Sequence, residues 1–325
     1  MNTNDPEGYQ AALERVASYH QPEPGFLRIS GEDWAAFLQR QTTNDVRLVD
    51  KDQAVPTVLT TPTARIIDVL YLLPPTGNTV DLLTLPGRGA ATAAYLKGHI
   101  FFMDKVKVQD ASTEFVQIDI LGPGREKLLE DLGIASPPEV NRVASFLLDG
   151  VEGRLLQLPS YLGLGYRLLV SSDQQDAVTG ALKRAGVAKI SPNAYEVLRL
   201  EAGVPAAGHE LTGDYTPLEN RLEPVVSDSK GCYTGQEVIA RQLTYDKVTA
   251  RLSGLQLTAP LIKGARIWAD GKRVGELTSV SKSPRFGWIG LAILKRPYFE
   301  PGNHLLVGEE ASSASPAQTV SLPFA

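Results

Sequence analysis

The chain has a single cysteine, Cys232, inside the run Lys-Gly-Cys-Tyr-Thr-Gly-Gln-Glu at residues 230–237. Gly231 and Gly235 bracket the thiol in a tight loop, and Val238, Ile239 and Leu243 then recur at helical spacing over residues 236–243. A thiol just ahead of a helix N-terminus and close to a lysine sits where the thiolate is favoured, the form that attacks electrophiles and binds metals. A lone cysteine is more often an inert core residue. This one has a polar, glycine-flanked neighbourhood, so Cys232 and Lys230 stand as the first catalytic candidates.

Other chemistries lack their residues. The four histidines, His20, His99, His209 and His304, never fall at i, i+4 or beside a second cysteine, so no histidine-rich metal site is expected. No P-loop or nucleophile elbow is present. Gly87-Arg88-Gly89 lacks the third glycine of a dinucleotide fingerprint and reads as a helix start; Gly122-Pro123-Gly124 reads as a strand-to-helix turn. The net charge is −5, with 37 acidic and 32 basic residues interspersed, which argues against wholesale nucleic-acid binding. The basic run Arg241, Lys247, Arg251 has only Tyr245 among it and fits no nucleic-acid module. No apolar stretch approaches the ~20 residues that span a bilayer. One unpaired cysteine and no leader pattern point to a reducing, cytoplasmic setting.

The elements that would position these residues follow from periodicity. Residues 25–30 alternate as a strand and feed an amphipathic helix opened by Asp33. Strands are expected at 54–60, 66–73 and 80–85, with a Pro-Pro-Thr-Gly-Asn turn at 74–78, then a helix over 89–97 and strands near Val106 and at 115–121. A helix over 123–132 ends at Gly133, strands follow at 154–158 and 166–171, and a helix over 173–185 closes at Gly186. Asn193 is expected to cap a helix with Ala194, Val197, Leu198 and Glu201 on one face and Gly203 at its end. Beyond residue 250, five short strand-like runs separated by glycine turns predict a small antiparallel barrel, and residues 311–318 read as a loose polar tail. The fold class is α+β: a lobe over residues 1–249 built from two halves, about 25–110 and 111–249, in the pattern of a divergent duplication, then a C-terminal β-barrel over 250–325.

Lys230–Glu237 continuing into Val238-Ile239-Ala240-Arg241 closely resembles the signature of YgfZ proteins and their mitochondrial iron–sulfur assembly relatives. Ser30-Gly31-Glu32-Asp33 with Phe37-Leu38-Gln39, the run Arg199 to Pro205, and Pro217-Leu218-Glu219 agree with it. So do Gly271 to Gly275 and Gly290-Leu291-Ala292, extending the resemblance over about residues 25–308. That family shares its fold with the glycine-cleavage T-protein, an aminomethyltransferase that uses tetrahydrofolate. The resemblance implies a tetrahydrofolate site in the central opening of the N-terminal lobe. Glu201 would accept the pterin N–H groups and Arg241 would meet the anionic tail. Tyr233 would either stack on the ligand or anchor the loop, beside Gly235 and Gln236.

In T-proteins the strand facing the folate carries an acidic pair. Here Arg65-Ile66-Ile67-Asp68-Val69 retains one acid, Asp68, a candidate general base whose face is ambiguous by one residue. The T-protein equivalent of Cys232 is usually aspartate. The resemblance therefore implies a folate-binding protein that supports synthesis or repair of iron–sulfur clusters in client enzymes such as tRNA-modifying methylthiotransferases, with Cys232 as the essential thiol. One cysteine cannot hold a four-cysteine cluster, so any cluster is shared with an iron–sulfur client or assembly partner, or the thiol acts transiently. No nucleic-acid or membrane partner is expected. Two alternatives stand beside this: a folate-dependent aminomethyltransferase or demethylase with Asp68 as base, and a non-enzymatic folate-binding scaffold.

Overall fold

The computed structural model describes residues 5–134, 138–158 and 165–325. The chain begins with α1 (Pro6–Glu14), β1 (Ala17–His20), β2 (Gly25–Ser30), α2 (Trp34–Gln41), β3 (Val55–Thr60), β4 (Ile66–Leu72), β5 (Thr79–Thr84), α3 (Gly89–Lys97) and β6 (Lys107–Asp110). It continues with β7 (Phe115–Leu121), α4 (Arg125–Asp131), β8 (Val143–Leu148), β9 (Val151–Leu158), β10 (Gly165–Ser171), α5 (Gln175–Arg184), β11 (Ala188–Lys189), α6 (Pro192–Ala202) and α7 (Gln236–Thr244).

The first sheet is five-stranded in the order β3-β4-β5-β2-β6; the second is six-stranded in the order β11-β1-β7-β10-β9-β8. Each half runs strand, helix, three strands, helix, strand. The sheet orders correspond position by position, except that β1 is inserted between β7 and β11 in the second. The two halves expected from the sequence thus have one topology, and the N-terminal strand is added to the later copy.

Strand alternation sorts residues into layers. Leu27, Ile29, Leu70, Leu72 and Leu82 turn one face of the first sheet onto Phe37 and Leu38 of α2 and Leu96 of α3. Ile118, Ile120, Leu155 and Leu168 do the same for the second sheet against α4 and α5. The opposite faces meet through Phe26, Leu83, Leu156 and Leu169, with the Phe26 and Phe115 rings stacked at 4.2 Å. Helices therefore lie outside and the two sheets face each other inside.

The barrel closes in the order β12 (Ala250–Leu257), β15 (Gly287–Lys295), β14 (Lys272–Ser283), β13 (Arg266–Ala269), β16 (His304–Gly308), β17 (Ser315–Val320). The tail expected to be loose instead supplies β17, which pairs with both β12 and β16: its Ala317 and Thr319 turn inward, with Pro316 and Gln318 exposed. The N-terminal segment holds α1 and β1, which its polar composition concealed. Ser191, not Asn193, caps α6; its Oγ accepts the Ala194 N–H at 3.2 Å and Pro192 fills the first helical position. Gly203, at φ +70°, ends that helix in the left-handed conformation that glycine adopts freely.

An ionic knot joins α6 to the barrel. Arg199, buried on α6, donates to Glu196, to the Val204 carbonyl at 2.8 Å, to Ser279 Oγ at 2.7 Å and to Glu210 at 3.3 Å. Glu210 accepts in turn from the Thr278 and Ser279 hydroxyls, both at 2.6 Å. A buried cation that loses one anion is strongly destabilising. Glu210→Ala is expected to lower unfolding stability by about 3 kcal/mol, the low end for such losses because Glu196 still neutralises the guanidinium; urea denaturation measures it.

Candidate functional site

The Cys232 loop is fastened from both sides. On its approach, the Ser227 N–H donates to the Thr43 carbonyl at 3.0 Å. Lys230 turns inward, is 4 % exposed, and its ammonium donates to the carbonyls of Thr42 and Asn44 at 2.7 and 2.6 Å. On the exit, Tyr233 packs among Ala64, Leu218 and Ile239. The Thr234 N–H donates to the Arg40 carbonyl at 2.9 Å, and Thr60 Oγ1 donates to the Thr234 carbonyl at 2.7 Å. Gly235 has φ +86°, and a Cβ there would lie 2.8 Å from the Thr61 carbonyl oxygen, so both conformation and space demand glycine. Between these anchors Gly231 and Cys232 are exposed. The result is a thiol held out to solvent on a short fixed arch.

Several expectations change here. Lys230 is not a partner of the thiol: its charge is spent on two backbone carbonyls, and burial lowers its pKa to about 8. Of the two roles open to Tyr233, the structure shows the anchor; burial pushes its hydroxyl up to about 12, and the Lys230 ammonium lies 5.1 Å from its ring centre. Gln236 opens α7 with its N–H on the Tyr233 carbonyl at 3.1 Å. Arg241 lies on the exposed side of α7, paired one turn back with Glu237 at 2.6 Å, an ordinary surface cation rather than part of the loop.

Asp68 is fully buried on β4 and faces α3. Its Oδ1 accepts the backbone N–H of Val69 at 2.8 Å and of Leu85 at 3.0 Å, and its Oδ2 meets the Thr92 hydroxyl at 2.5 Å. Burial raises its pKa to about 7, against the pull of those hydrogen bonds and of Arg88. The register question is thereby answered: Asp68 shares the helix-facing side with Leu70 and Leu72, while Val69 packs separately against Val58, Ile66 and Leu211. As placed, Asp68 ties β4, β5 and α3 together.

Glu201 is buried at the junction of α1, α6 and the barrel. Its Oε1 accepts from Tyr9 Oη and Ser283 Oγ, both at 2.6 Å, and Arg285 approaches Oε2 at 3.6 Å. Burial, with the neighbouring carboxylate, drives the Tyr9 hydroxyl well above the ordinary tyrosine value. The sequence-derived residues thus fall into separate neighbourhoods. Lys230, Cys232, Tyr233, Gly235 and Gln236 share the arch, whereas Asp68, Glu201 and Arg241 do not join it.

One polar group escaped the sequence reading. Arg167 of β10 lies directly opposite Asp119 of β7 and forks onto it at 2.6 and 3.0 Å, both residues nearly fully buried. Gln117 accepts from Arg167 at 3.0 Å; Gln21 and the Tyr195 hydroxyl donate to Asp119 at 2.6 and 3.1 Å. These side chains project from the second sheet opposite Ile118 and Ile120, toward its inner face. Opposite charges at 119 and 167 were visible in the sequence, but only the strand register brings them together. No group of three or more His, Cys, Asp or Glu able to hold a metal ion occurs among the described residues.

Residues 7–230 match the family model of the GCVT N-terminal domain, and residues 251–325 that of the glycine cleavage T-protein C-terminal barrel domain. The chain belongs to the glycine-cleavage T-protein family. Within that family it is 33 % identical over 319 residues to a chloroplastic protein of Arabidopsis thaliana with a provisional transferase name, spanning 95 % of this chain and 72 % of the relative. It is 29 % identical over 307 residues to an aminomethyltransferase of Exiguobacterium sibiricum, spanning 90 % of this chain and 82 % of that one. The crystal structure of the glycine cleavage system aminomethyltransferase T from Bartonella henselae superposes with a TM-score of 0.86 at 20 % identity. That match covers 98 % of this chain and 89 % of the other, and it shows the shared T-protein fold. The arch carrying Cys232 lies just past the end of the first matched stretch, in the segment that leads to the barrel. No helix among the described residues is long and apolar enough to cross a membrane.

Two outcomes follow from this geometry. Because folded Asp68 keeps its proton up to about 7 while an unfolded aspartate loses it near about 4, stability falls as pH rises through that window and levels above it. Asp68→Asn, which can donate to Thr92 and accept the same two amides, is expected to flatten this slope in denaturation midpoints taken across the window; an unchanged slope would refute the assignment. Gly235→Ala is expected to cost about 1–3 kcal/mol and to speed hydrogen exchange at the Thr234 amide.

Proposed function

We propose that this T-protein-family chain is a folate-binding protein of the YgfZ type whose working group is the Cys232 thiol, and that it supports synthesis or repair of iron–sulfur clusters in client proteins. The observation that carries this reading is the fixed, exposed arch. Its neighbours are buried on both sides, so the thiol is presented without freedom to retreat into the core. A group displayed in this way acts on something brought to it. Asp68, by contrast, is closed behind the sheet by three hydrogen bonds, which disfavours the reading in which it serves as general base for aminomethyl transfer.

Tetrahydrofolate is the ligand that suits the family. A pterin edge needs adjacent acceptors for its N–H groups. The Asp119 carboxylate is already taken by Arg167, Gln21 and Tyr195, so we keep the pterin contact at Glu201, whose Oε2 meets only Arg285, at 3.6 Å. When bound there, folate would supply one-carbon carrier chemistry, and Glu201 would orient its ring.

An exposed apolar segment is tied to the arch through Arg40, and we read it as a client face. Phe101, Phe102 and Met103 are 61, 97 and 73 % exposed, an apolar knuckle next to Asp104. Arg40 links it to the arch: its guanidinium grips Asp104 at 2.8 Å and lies 5.7 Å from the Phe101 ring centre, while its carbonyl holds Thr234. Contiguous exposed apolar side chains are a mark of interaction sites. An exposed free thiol suits a reducing compartment, and for that reason we assign the cytoplasm.

The test is complementation of a strain lacking this protein, read as activity of cluster-dependent enzymes. Wild type and Asp68→Asn are expected to restore it. Cys232→Ser is expected to fail, and Phe102→Asp to restore it only partly while binding tetrahydrofolate normally. Full restoration by Cys232→Ser, or failure of Asp68→Asn in a folded protein, would overturn the proposal.

A further inference from the structure

The edge of a sheet presents unpaired backbone donors and acceptors, which proteins blunt with charge, cover or short length. Of the four edge strands among the described residues, three are blunted. β3 is buried along its whole length, with the Thr43 N–H on its Val58 carbonyl at 3.0 Å. β6 carries Lys107 and Asp110, and β11 is two residues long. β8, which ends the second sheet, is the exception: it reads Val-Ala-Ser-Phe-Leu-Leu over Val143–Leu148, with no charge.

The free part of that edge can be located. The Val143 N–H points away from β9 and donates to the Asp52 carbonyl at 2.8 Å. Antiparallel alternation sends the N–H and C=O of Ser145 and Leu147 the same way. Neither residue exchanges a backbone bond with anything outside its own sheet among the described residues. Their side chains share the inner face of the sheet with Arg154 and Glu152, which lie directly opposite them on β9, while Phe146 and Leu148 fill the helix side. Leu147 is 64 % exposed. A trench of about 600 Å³ runs beside it, lined by Ser145, Phe115, Leu169 and Arg154. The trench is rigid, because Arg154 pairs with Asp81 at 3.0 Å and lies 5.5 Å from the Phe26 ring centre and 5.9 Å from that of Phe115.

Such an edge is complementary to itself about a two-fold axis. With the axis at Phe146, Ser145 faces the partner's Leu147 and Leu147 faces the partner's Ser145, and each pair exchanges two N–H···O=C bonds. An axis at Ser145 would need Val143, whose N–H is already taken by Asp52. An axis at Leu147 would press the two leucines together and set Ser145 against the partner's Asp149, which lies in a turn at φ +49°. The Phe146 axis instead puts small against large, so that each leucine settles beside the other copy's trench. Rows across the junction then read Glu152, Leu147, the partner's Ser145 and the partner's Arg154, and no like charges meet. We propose that β8 is a docking edge for a second copy of this chain. Two six-stranded sheets join there into one of twelve strands, and both Leu147 side chains leave water. Four hydrogen bonds and two leucines make a small interface, so the dimer exchanges readily with the monomer. The inference is independent of the roles given to Cys232 and to folate.

Sedimentation velocity on the full chain, from micromolar to millimolar concentration and with Cys232 blocked by iodoacetamide so that no disulfide contributes, tests this. The mass is expected to move from one copy toward two as concentration rises. Leu147→Glu, which sets a second carboxylate beside Glu152, is expected to weaken association by about tenfold or more. It leaves the melting temperature of the dilute protein unchanged, because the side chain is exposed there. Phe102→Asp is expected to associate like wild type. Hydrogen exchange at the Ser145 and Leu147 amides is expected to slow with concentration in wild type and not in Leu147→Glu. A single copy at every concentration, or association indifferent to Leu147→Glu, would overturn the proposal. So would association lost in Phe102→Asp, which would move the contact to residues 101–103, or Ser145 and Leu147 amides that exchange equally fast in dilute and concentrated protein.

Discussion

Burying an ammonium is costly unless oriented acceptors replace its water, and Lys230 meets that demand with the carbonyls of Thr42 and Asn44. Those carbonyls leave the end of α2, which is itself packed into the core of the first sheet through Phe37 and Leu38. The position of the arch is thus inherited from the sheet. Tyr233 and Gly235 repeat the attachment on the other side, against the β3–β4 turn at Thr60 to Ala64. With both ends so determined, the two residues between them have nowhere to go but outward. Exposure of Cys232 is in this sense a consequence of how its neighbours are buried.

The same scaffold serves proteins named as aminomethyltransferases, and at 20 % identity the Bartonella henselae structure shows how little the backbone has changed. A fold does not settle chemistry; the site does. Here the one acid retained on β4 has become a joint between two strands and a helix, held neutral by burial over the acidic range. The inner face of the second sheet carries a guanidinium locked to a carboxylate, a rigid polar wall rather than a titrating pair.

Much of this was legible in the residue string. The halves and the barrel follow from periodicity, and Gly133, Gly186 and Gly203 end helices as expected because each adopts positive φ. The glycines around Cys232 signalled a tight loop. What the string could not carry was direction. Lys230 is two residues from the thiol, and only the buried carbonyls of a segment nearly 190 residues away decide that it points inward. Arg241 was placed by resemblance, but it pairs along its own helix with Glu237; that Glu201 also holds Tyr9 and Ser283 is a long-range contact no local pattern announces. Asp119 and Arg167 are unremarkable until β7 and β10 are set in register. β17 was missed because its alternating small and polar residues resemble a linker until barrel closure gives them two sides.

The most direct test of the fixed, exposed thiol is to label Cys232 with iodoacetamide under native conditions while following hydrogen exchange at the Ser227 and Thr234 amides. The structure predicts labelling at close to the rate of an unhindered cysteine, together with strong protection of both amides through their bonds to Thr43 and Arg40. Labelling only as the protein unfolds, or amides that exchange like those of an unstructured peptide, would contradict it.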